Sequence, residues 1–208
     1  MAAEPLDRST IMENIRSILE VQEKLSEYIH KRLCLKCEEL AEEEWMNKRK
    51  EAFKFVRGLI DKYAFSKRLP HDELGILAQS IISYMLNIQH TFLRVLVLID
   101  ILQDEVFNDI FMDSMSTISK KVNEMMATLK RMVEQRADNL EEADHSLELL
   151  IRLEREIDED NIVICRQISI ASGGRDCDFA SYILRKIVGE LEHVSDYAKE
   201  CAEIVAEI

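Results

Sequence analysis

Two Glu-x-x-x-Asp motifs in the last third of the chain carry the residues best suited to chemistry. Glu154 and Asp158 lie in Leu153-Glu154-Arg155-Glu156-Ile157-Asp158, and Glu192 and Asp196 lie in Leu191-Glu192-His193-Val194-Ser195-Asp196. A four-residue spacing puts both carboxylates of a motif on one helix face, a turn apart. Spacing alone says little, because 40 of 208 residues are acidic and chance placement gives about seven such pairs. Position says more. The first pair falls on the apolar side of its helix, along Leu147, Ile151, Glu154, Asp158, Asn161, Cys165 and Ile168. The second pair flanks a stripe of Leu184, Ile187, Leu191, Val194, Ala198, Cys201 and Val205. Buried carboxylates must be paired, protonated or bound to a cation.

Register brings the two motifs together. With the turn centred on residue 175, Asp158 lies 17 residues before it and Glu192 lies 17 after; Glu154 and Asp196 each lie 21 away. In an antiparallel hairpin those pairs sit at matching heights, about 25 and 31 Å from the turn. Four carboxylates converging there would repel without a cation, and they suit Fe, Mn, Mg or Zn. The competing reading is a set of surface ion pairs with Lys and Arg.

Other constellations are weaker. His30, Cys34 and Cys37 share a face if their helix continues, and their donors suit zinc, but no fourth ligand stands out. Glu142-x-x-His145 and Glu190-x-x-His193 match the Glu-x-x-His of di-iron bundles. Their heights differ by about 27 Å, which separates them within one hairpin. Arg131, Arg136, Arg152, Arg155 and Arg166 read as surface ion-pair partners. Gly173-Gly174 lacks the Lys-Ser/Thr and the preceding strand of a phosphate loop. Met112, Met115, Met125, Met126 and Met132 read as core filler.

The elements that would position these residues are long helices. Only 5 Gly and 2 Pro punctuate 208 residues, of which 47% are hydrophobic; such a chain has few turns, so the expected fold is all-α. The first helix opens on a Thr10-x-x-Glu13 capping box and carries Ile11, Ile15, Ile18, Leu25 and Ile29 inward, with a break near 30–37. The second runs from about Glu38 to Ser66. The third, capped by Asp72, runs to about Val97 or Leu102, with Ile76, Leu77, Ile81, Met85 and Ile88 inward. The fourth spans about 104–135, with Ile110, Met115, Ile118, Val122, Met125 and Met126 inward. The fifth covers about 140–170, and Gly173-Gly174 ends that segment. Asp176 or Asp178 caps the sixth, which continues to about Ala206. Six helices suggest two three-helix halves, 1–103 and 104–208, packed as an elongated bundle.

Charge narrows the function classes. A net charge of −13 repels phosphate backbones, so no nucleic-acid partner is expected. No run of 18 apolar residues occurs, and Arg94 and Asp100 interrupt the most apolar region, so no membrane span is expected. Residues 1–7 show no secretory signal, and the five cysteines (Cys34, Cys37, Cys165, Cys177 and Cys201) are an odd number. Both point to a cytoplasmic chain with reduced thiols.

The stretches LIRLEREIDEDNIVICRQI and ILRKIVGELEHVSDYAKECAEIV resemble the PhoU-like proteins and the related accessory proteins of Pit-type phosphate transporters. The resemblance is strongest over 145–208. It implies a three-helix repeat with Glu-x-x-x-Asp motifs, carried here by Glu154 and Asp158 and by Glu192 and Asp196. It further implies an iron or zinc site; Mn and Mg remain open from the carboxylate chemistry alone. The implied role is non-enzymatic: regulation of phosphate uptake by contact with a transporter at its cytoplasmic face or with a sensor kinase. Membrane association would then be peripheral, and a homo-oligomer is compatible with the role. The first half departs from the pattern. LPHDELGILAQSIISYMLNIQ resembles the family's third helix, but Ile82 and Leu86 stand near the places of its acidic pair. Lys48, Arg49 and Lys50 stand where acids belong on the preceding helix. The alternatives are a metal-dependent bundle enzyme of di-iron type and a metal-free helical interaction module.

Overall fold

Hydrophobic periodicity becomes a ring of helices. The computed structural model describes residues 4–34, 50, 54, 61–102, 109–171 and 178–208. These contain five α-helices, one short 3-10 helix and no strand. We label them α1 (Arg8–Leu33), α2 (Glu73–Ile101), α3 (Asp109–Asp138), α4 (Leu140–Ala171) and α5 (Phe179–Glu207); the 3-10 helix is Tyr63–Arg68. The chain is an all-α helical bundle, as its composition required. Most of the second helix expected from sequence, 38–66, lies outside the described residues. Its end is the 3-10 helix, which buries Tyr63 and Phe65.

Caps explain where the helices begin. Asp7, not Thr10, caps α1: its carboxylate accepts the Thr10 N–H at 2.8 Å. An acidic side chain there also faces the positive end of the helix dipole, so the helix starts earlier than the capping box implied. Asp72 caps α2 through the Gly75 N–H at 3.0 Å, and Asp178 caps α5 through the Ser181 N–H at 2.7 Å. The joint between α3 and α4 is the single residue Asn139. Its side-chain oxygen accepts the Glu142 N–H and its carbonyl accepts the Ala143 N–H, so α4 starts where α3 stops without a glycine or proline.

The ring runs α1–α3–α4–α5–α2 and back to α1, with α3 also packing across it on α5. Cross-helix bonds fix the directions. Ser26 meets Asn123 and Arg16 meets Glu134, which sets α1 antiparallel to α3; Tyr84 meets Glu200 and Arg94 meets Glu190, which sets α2 antiparallel to α5. Each of α3, α4 and α5 touches the other two. One continuous core, with Phe92 as its largest wholly buried side chain, joins this trio to α1 and α2.

The apolar faces of α1, α3 and α5 are those expected: Ile11, Ile15, Ile18, Leu25 and Ile29, then Met115, Ile118, Val122, Met125 and Met126, then all seven α5 stripe residues are buried. Ile110 and Met112 have no described side chain. Two faces are corrected. Ile76 is 70% exposed, because Gly75 and Ala78 instead turn inward at the start of α2. On α4 the buried set is Ala143, Ser146, Leu150, Leu153, Glu154, Ile157, Ile164 and Ile168. Leu147, Ile151, Asp158, Asn161 and Cys165 sit on the margin of that face. Helix α2 is long and apolar enough to cross a membrane, but half of its most apolar window is buried inside the bundle. A core helix flanked on both sides passes the same test.

Candidate metal centre

Helices α4 and α5 place the motif carboxylates across one seam. Val194 and Ala198 turn into the core from α5, and Ile157 turns in from α4. Asp158, Glu192 and Asp196 are thereby held beside the buried faces, partly exposed to solvent. One oxygen from each of these three lies within 4.8 Å of the others. A cation with metal–oxygen bonds of about 2.0–2.6 Å spans oxygens up to about 4–5 Å apart, so the three can share one ion. Asp158 Oδ1 is buried and has no hydrogen-bond partner, which leaves it a lone pair for such an ion. An all-carboxylate set favours hard or borderline ions such as Mn, Mg, Fe or Zn over soft ones.

Glu154 is not part of that trio. It is 9% exposed, and its Oε1 accepts a hydrogen bond from Lys199 Nζ at 3.1 Å. The hairpin therefore places Lys199 opposite Glu154, one turn further than Asp196. Lys199 follows Glu192 and Asp196 at positions i+7 and i+3, so the helical period puts it on the same face. The spacing of the carboxylates alone did not mark this cation within an acidic motif.

The electrostatics show a crowded anionic seam. Burial raises the Asp158 carboxyl above its ordinary value, and the nearby Glu154 charge adds to this while Lys199 opposes it. Burial also raises Glu192, followed by repulsion from Asp196. Asp196 is raised by burial and then by Asp158 and Glu154. Ionisation of each group is thus disfavoured, and a cation or a proton relieves the strain between them. The Lys199 ammonium is held above its usual value, first by its bond to Glu154.

His193 borders the cluster. Its Nε2 lies 3.7 Å from Glu192 and its Nδ1 3.9 Å from Glu190, whose carboxylate accepts from Arg94 Nε at 2.8 Å. The Glu190-x-x-His193 pair is thus tied to α2. Glu142 accepts from Gln135, and His145 Nδ1 lies 2.8 Å from the Glu141 carbonyl, at the other end of α4. His30 turns onto α3, with Nδ1 3.0 Å from Ser119 Oγ. α1 ends at Leu33, leaving Cys34 in an extended conformation; Cys37 lies outside the described residues. Of the arginines, Arg152 lies beside Glu156 and Arg136 beside Asp144 and the Ala206 carbonyl. Cys165 and Cys201 are free thiols; burial pushes Cys201 up to about 12.

The class these observations define is an all-α bundle with a three-carboxylate cluster between its last two helices. No protein-family model and no curated protein matches the chain.

Proposed function

We propose that this chain is a non-enzymatic, PhoU-like accessory protein that binds a divalent or trivalent metal at Asp158, Glu192 and Asp196. The single observation that carries the reading is the meeting of three partly buried carboxylates across the α4–α5 seam, with Asp158 Oδ1 unpaired. Both helices of the cluster fall in the stretches that resemble the PhoU-like proteins. From that resemblance we infer the partner: a phosphate transporter at its cytoplasmic face or a sensor kinase. Bound metal would supply charge neutralisation, stapling α4 to α5 and fixing the outer shape of the hairpin. Iron or zinc is the ion the resemblance favours, and the oxygen-only set also accommodates manganese or magnesium.

The test is metal analysis of untagged protein purified without chelator, followed by titration of chelator-treated protein with Fe, Zn, Mn and Mg. Wild type is expected to hold about one ion per chain, and Glu192→Gln with Asp196→Asn to hold none while keeping its helical circular dichroism. Full metal content in that variant, or no metal in wild type after reconstitution, overturns the site. Recovery of a phosphate permease with cross-linked wild type, and not with a metal-free variant, tests the partner.

A further inference from the structure

The anionic seam already carries one cation, and it belongs to the chain. Lys199 Nζ donates to Glu154 Oε1 at 3.1 Å, from a side chain that stays partly exposed to solvent. Glu154 itself is buried. Lys199 stands one turn beyond Asp196 on α5, and Glu154 stands one turn from Asp158 on α4. The ion pair therefore adjoins the three carboxylates. Their charges act on one another across that turn. Burial raises the Asp158 and Asp196 carboxyls, Glu154 raises both further, and Lys199 pulls both back.

The neighbouring cations are engaged elsewhere. Lys121 bonds Asp160 and Glu156, Arg152 lies beside Glu156, and Arg94 holds Glu190. Among the described residues, Lys199 is the Lys or Arg paired with a carboxylate of the two Glu-x-x-x-Asp motifs. An ammonium has no lone pair, so it cannot bind a metal. It can only share the field that a metal would use. With no ion bound, that sharing relieves part of the repulsion in the seam. A divalent ion arriving at Asp158, Glu192 and Asp196 meets the same ammonium as a like charge. The charge sits at the end of a flexible four-carbon stem, which lets it yield to the ion without a change in backbone.

We propose that Lys199 is a built-in competitor of the metal: it holds Glu154 and part of the anionic seam when no ion is bound, and so sets the metal concentration at which the site fills. This rests on the metal reading of Asp158, Glu192 and Asp196, and it adds the residue that governs their occupancy. Two consequences follow from the charge alone. Loss of the ammonium strengthens metal binding, because the incoming ion no longer meets a like charge. It also makes the fold depend more on metal, because the unrelieved seam gains more from the ion.

The experiment is calorimetric titration of the full chain, cleared of metal with chelator, with zinc alone and then with manganese alone. Lys199→Gln keeps a donor for Glu154 and loses the charge; Lys199→Arg keeps the charge. Lys31→Gln removes a cation that pairs with Glu27 on α1, away from the seam. Lys199→Gln is expected to lower the Kd about tenfold and to show a larger rise in Tm on zinc saturation than wild type. Lys199→Arg and Lys31→Gln are expected to stay within about twofold of wild type. Should Lys199→Gln lose its helical circular dichroism, the same substitution is compared in the Glu154→Gln background, where no buried carboxylate is left without its donor; binding should again strengthen about tenfold. Unchanged or weaker binding on loss of the ammonium overturns the proposal while leaving the metal site standing. Equal strengthening by Lys31→Gln also overturns it, since the effect would belong to the net charge of the chain. An absence of metal binding in wild type and every variant is a different result: it removes the site itself, and the competitor with it.

Discussion

Asp196→Asn is expected to make the metal-free protein more stable and the metal-saturated protein less so. The substitution keeps the shape of the side chain and removes its charge. At 4.8 Å, the distance within which the three oxygens all lie, two unit charges repel by about 0.9 kcal/mol in bulk water and about 3.5 kcal/mol at an effective dielectric near 20. The three carboxylates are partly exposed, so about 1 kcal/mol per pair is the reasonable scale. The neutral amide would remove the two repulsions that involve residue 196, or about 2 kcal/mol. For a chain of this size that is a rise of roughly 4–8 °C in Tm. With metal at a hundred times the wild-type Kd, wild type gains about 2.7 kcal/mol, and the variant, short of one ligand and binding about a hundredfold more weakly, gains about 0.4 kcal/mol. The order of the two proteins should therefore reverse between chelator and metal. Differential scanning calorimetry in both conditions reads it directly. If Asp196→Asn lowers Tm in chelator, residue 196 is a stabilising partner rather than a repelled one, and the electrostatic argument fails. Equal gains from metal in both proteins would remove residue 196 from the site.

Lys199→Met should cost about 1–3 kcal/mol, because it leaves the buried Glu154 carboxylate without its donor; adding Glu154→Gln should recover most of the loss in a double-mutant cycle read by urea denaturation. Gly75→Ala should lose about 1–3 kcal/mol, since its Cβ would run into the Pro70 carbonyl. Gly189→Ala, in the interior of α5 with nothing within 4 Å of its Cβ, should instead gain about 0.5–1 kcal/mol; Tm values for the pair check both signs. The raised carboxyls of Asp158, Glu192 and Asp196 bind protons more tightly folded than unfolded. Their contribution to stability is therefore complete below the ordinary carboxylate range and is lost as pH rises through their raised values. Asp7 and Asp178, lowered by their caps, act in the opposite direction. The triple variant Asp158→Asn, Glu192→Gln, Asp196→Asn should thus gain on metal-free wild type as pH rises from about 4 toward about 7, and a constant gap in chemical denaturation would contradict the sign.

The helices were legible because the chain has so few breakers. Stripes such as Ile11-Ile15-Ile18 and Leu184-Ile187-Leu191 repeat at the helical period over many turns, and burial followed them. What failed was finer than a turn. Leu147 and Leu150 are both apolar, as are Ile151 and Leu153, so the sequence of α4 allows two core faces about a residue apart. The choice falls to the partners α3 and α5, which no local pattern contains. The same shift decides the candidate site. It carries Glu154 into the core, where it needs Lys199, and leaves Asp158 at the margin within reach of Glu192 and Asp196. Hairpin symmetry about residue 175 placed four carboxylates at one seam, but it paired Glu154 with Asp196, whereas the structure sets Lys199 against Glu154 and groups only the other three. A residue-for-residue opposition cannot be read from chain distance alone, because the register is set by how α4 and α5 pack and not by the midpoint between them. The switch at Asn139 was equally hidden: one residue ends α3 and caps α4 without either usual breaker.

The seam between α4 and α5 has two electrostatic characters within two turns, and this bears on how a bound ion would act. At Glu154 the charge is matched by a protein cation, so that end of the seam is held whether or not a metal is present. At Asp158, Glu192 and Asp196 like charges face one another with only partial relief from His193 and Lys199. The α2–α5 seam has its own cross-links, Arg94 to Glu190 and Tyr84 to Glu200, and does not depend on the cluster. A cation at the three carboxylates would turn a locally repulsive contact into an attractive one while leaving the fixed points on either side in place. The response open to the bundle is then a tightening of α4 against α5 about the Glu154–Lys199 pair, not a rearrangement of all five helices. Such a change would be transmitted along α4 and α5 toward the hairpin end that carries Ile170 and Phe179, because those two helices are the ones the carboxylates join.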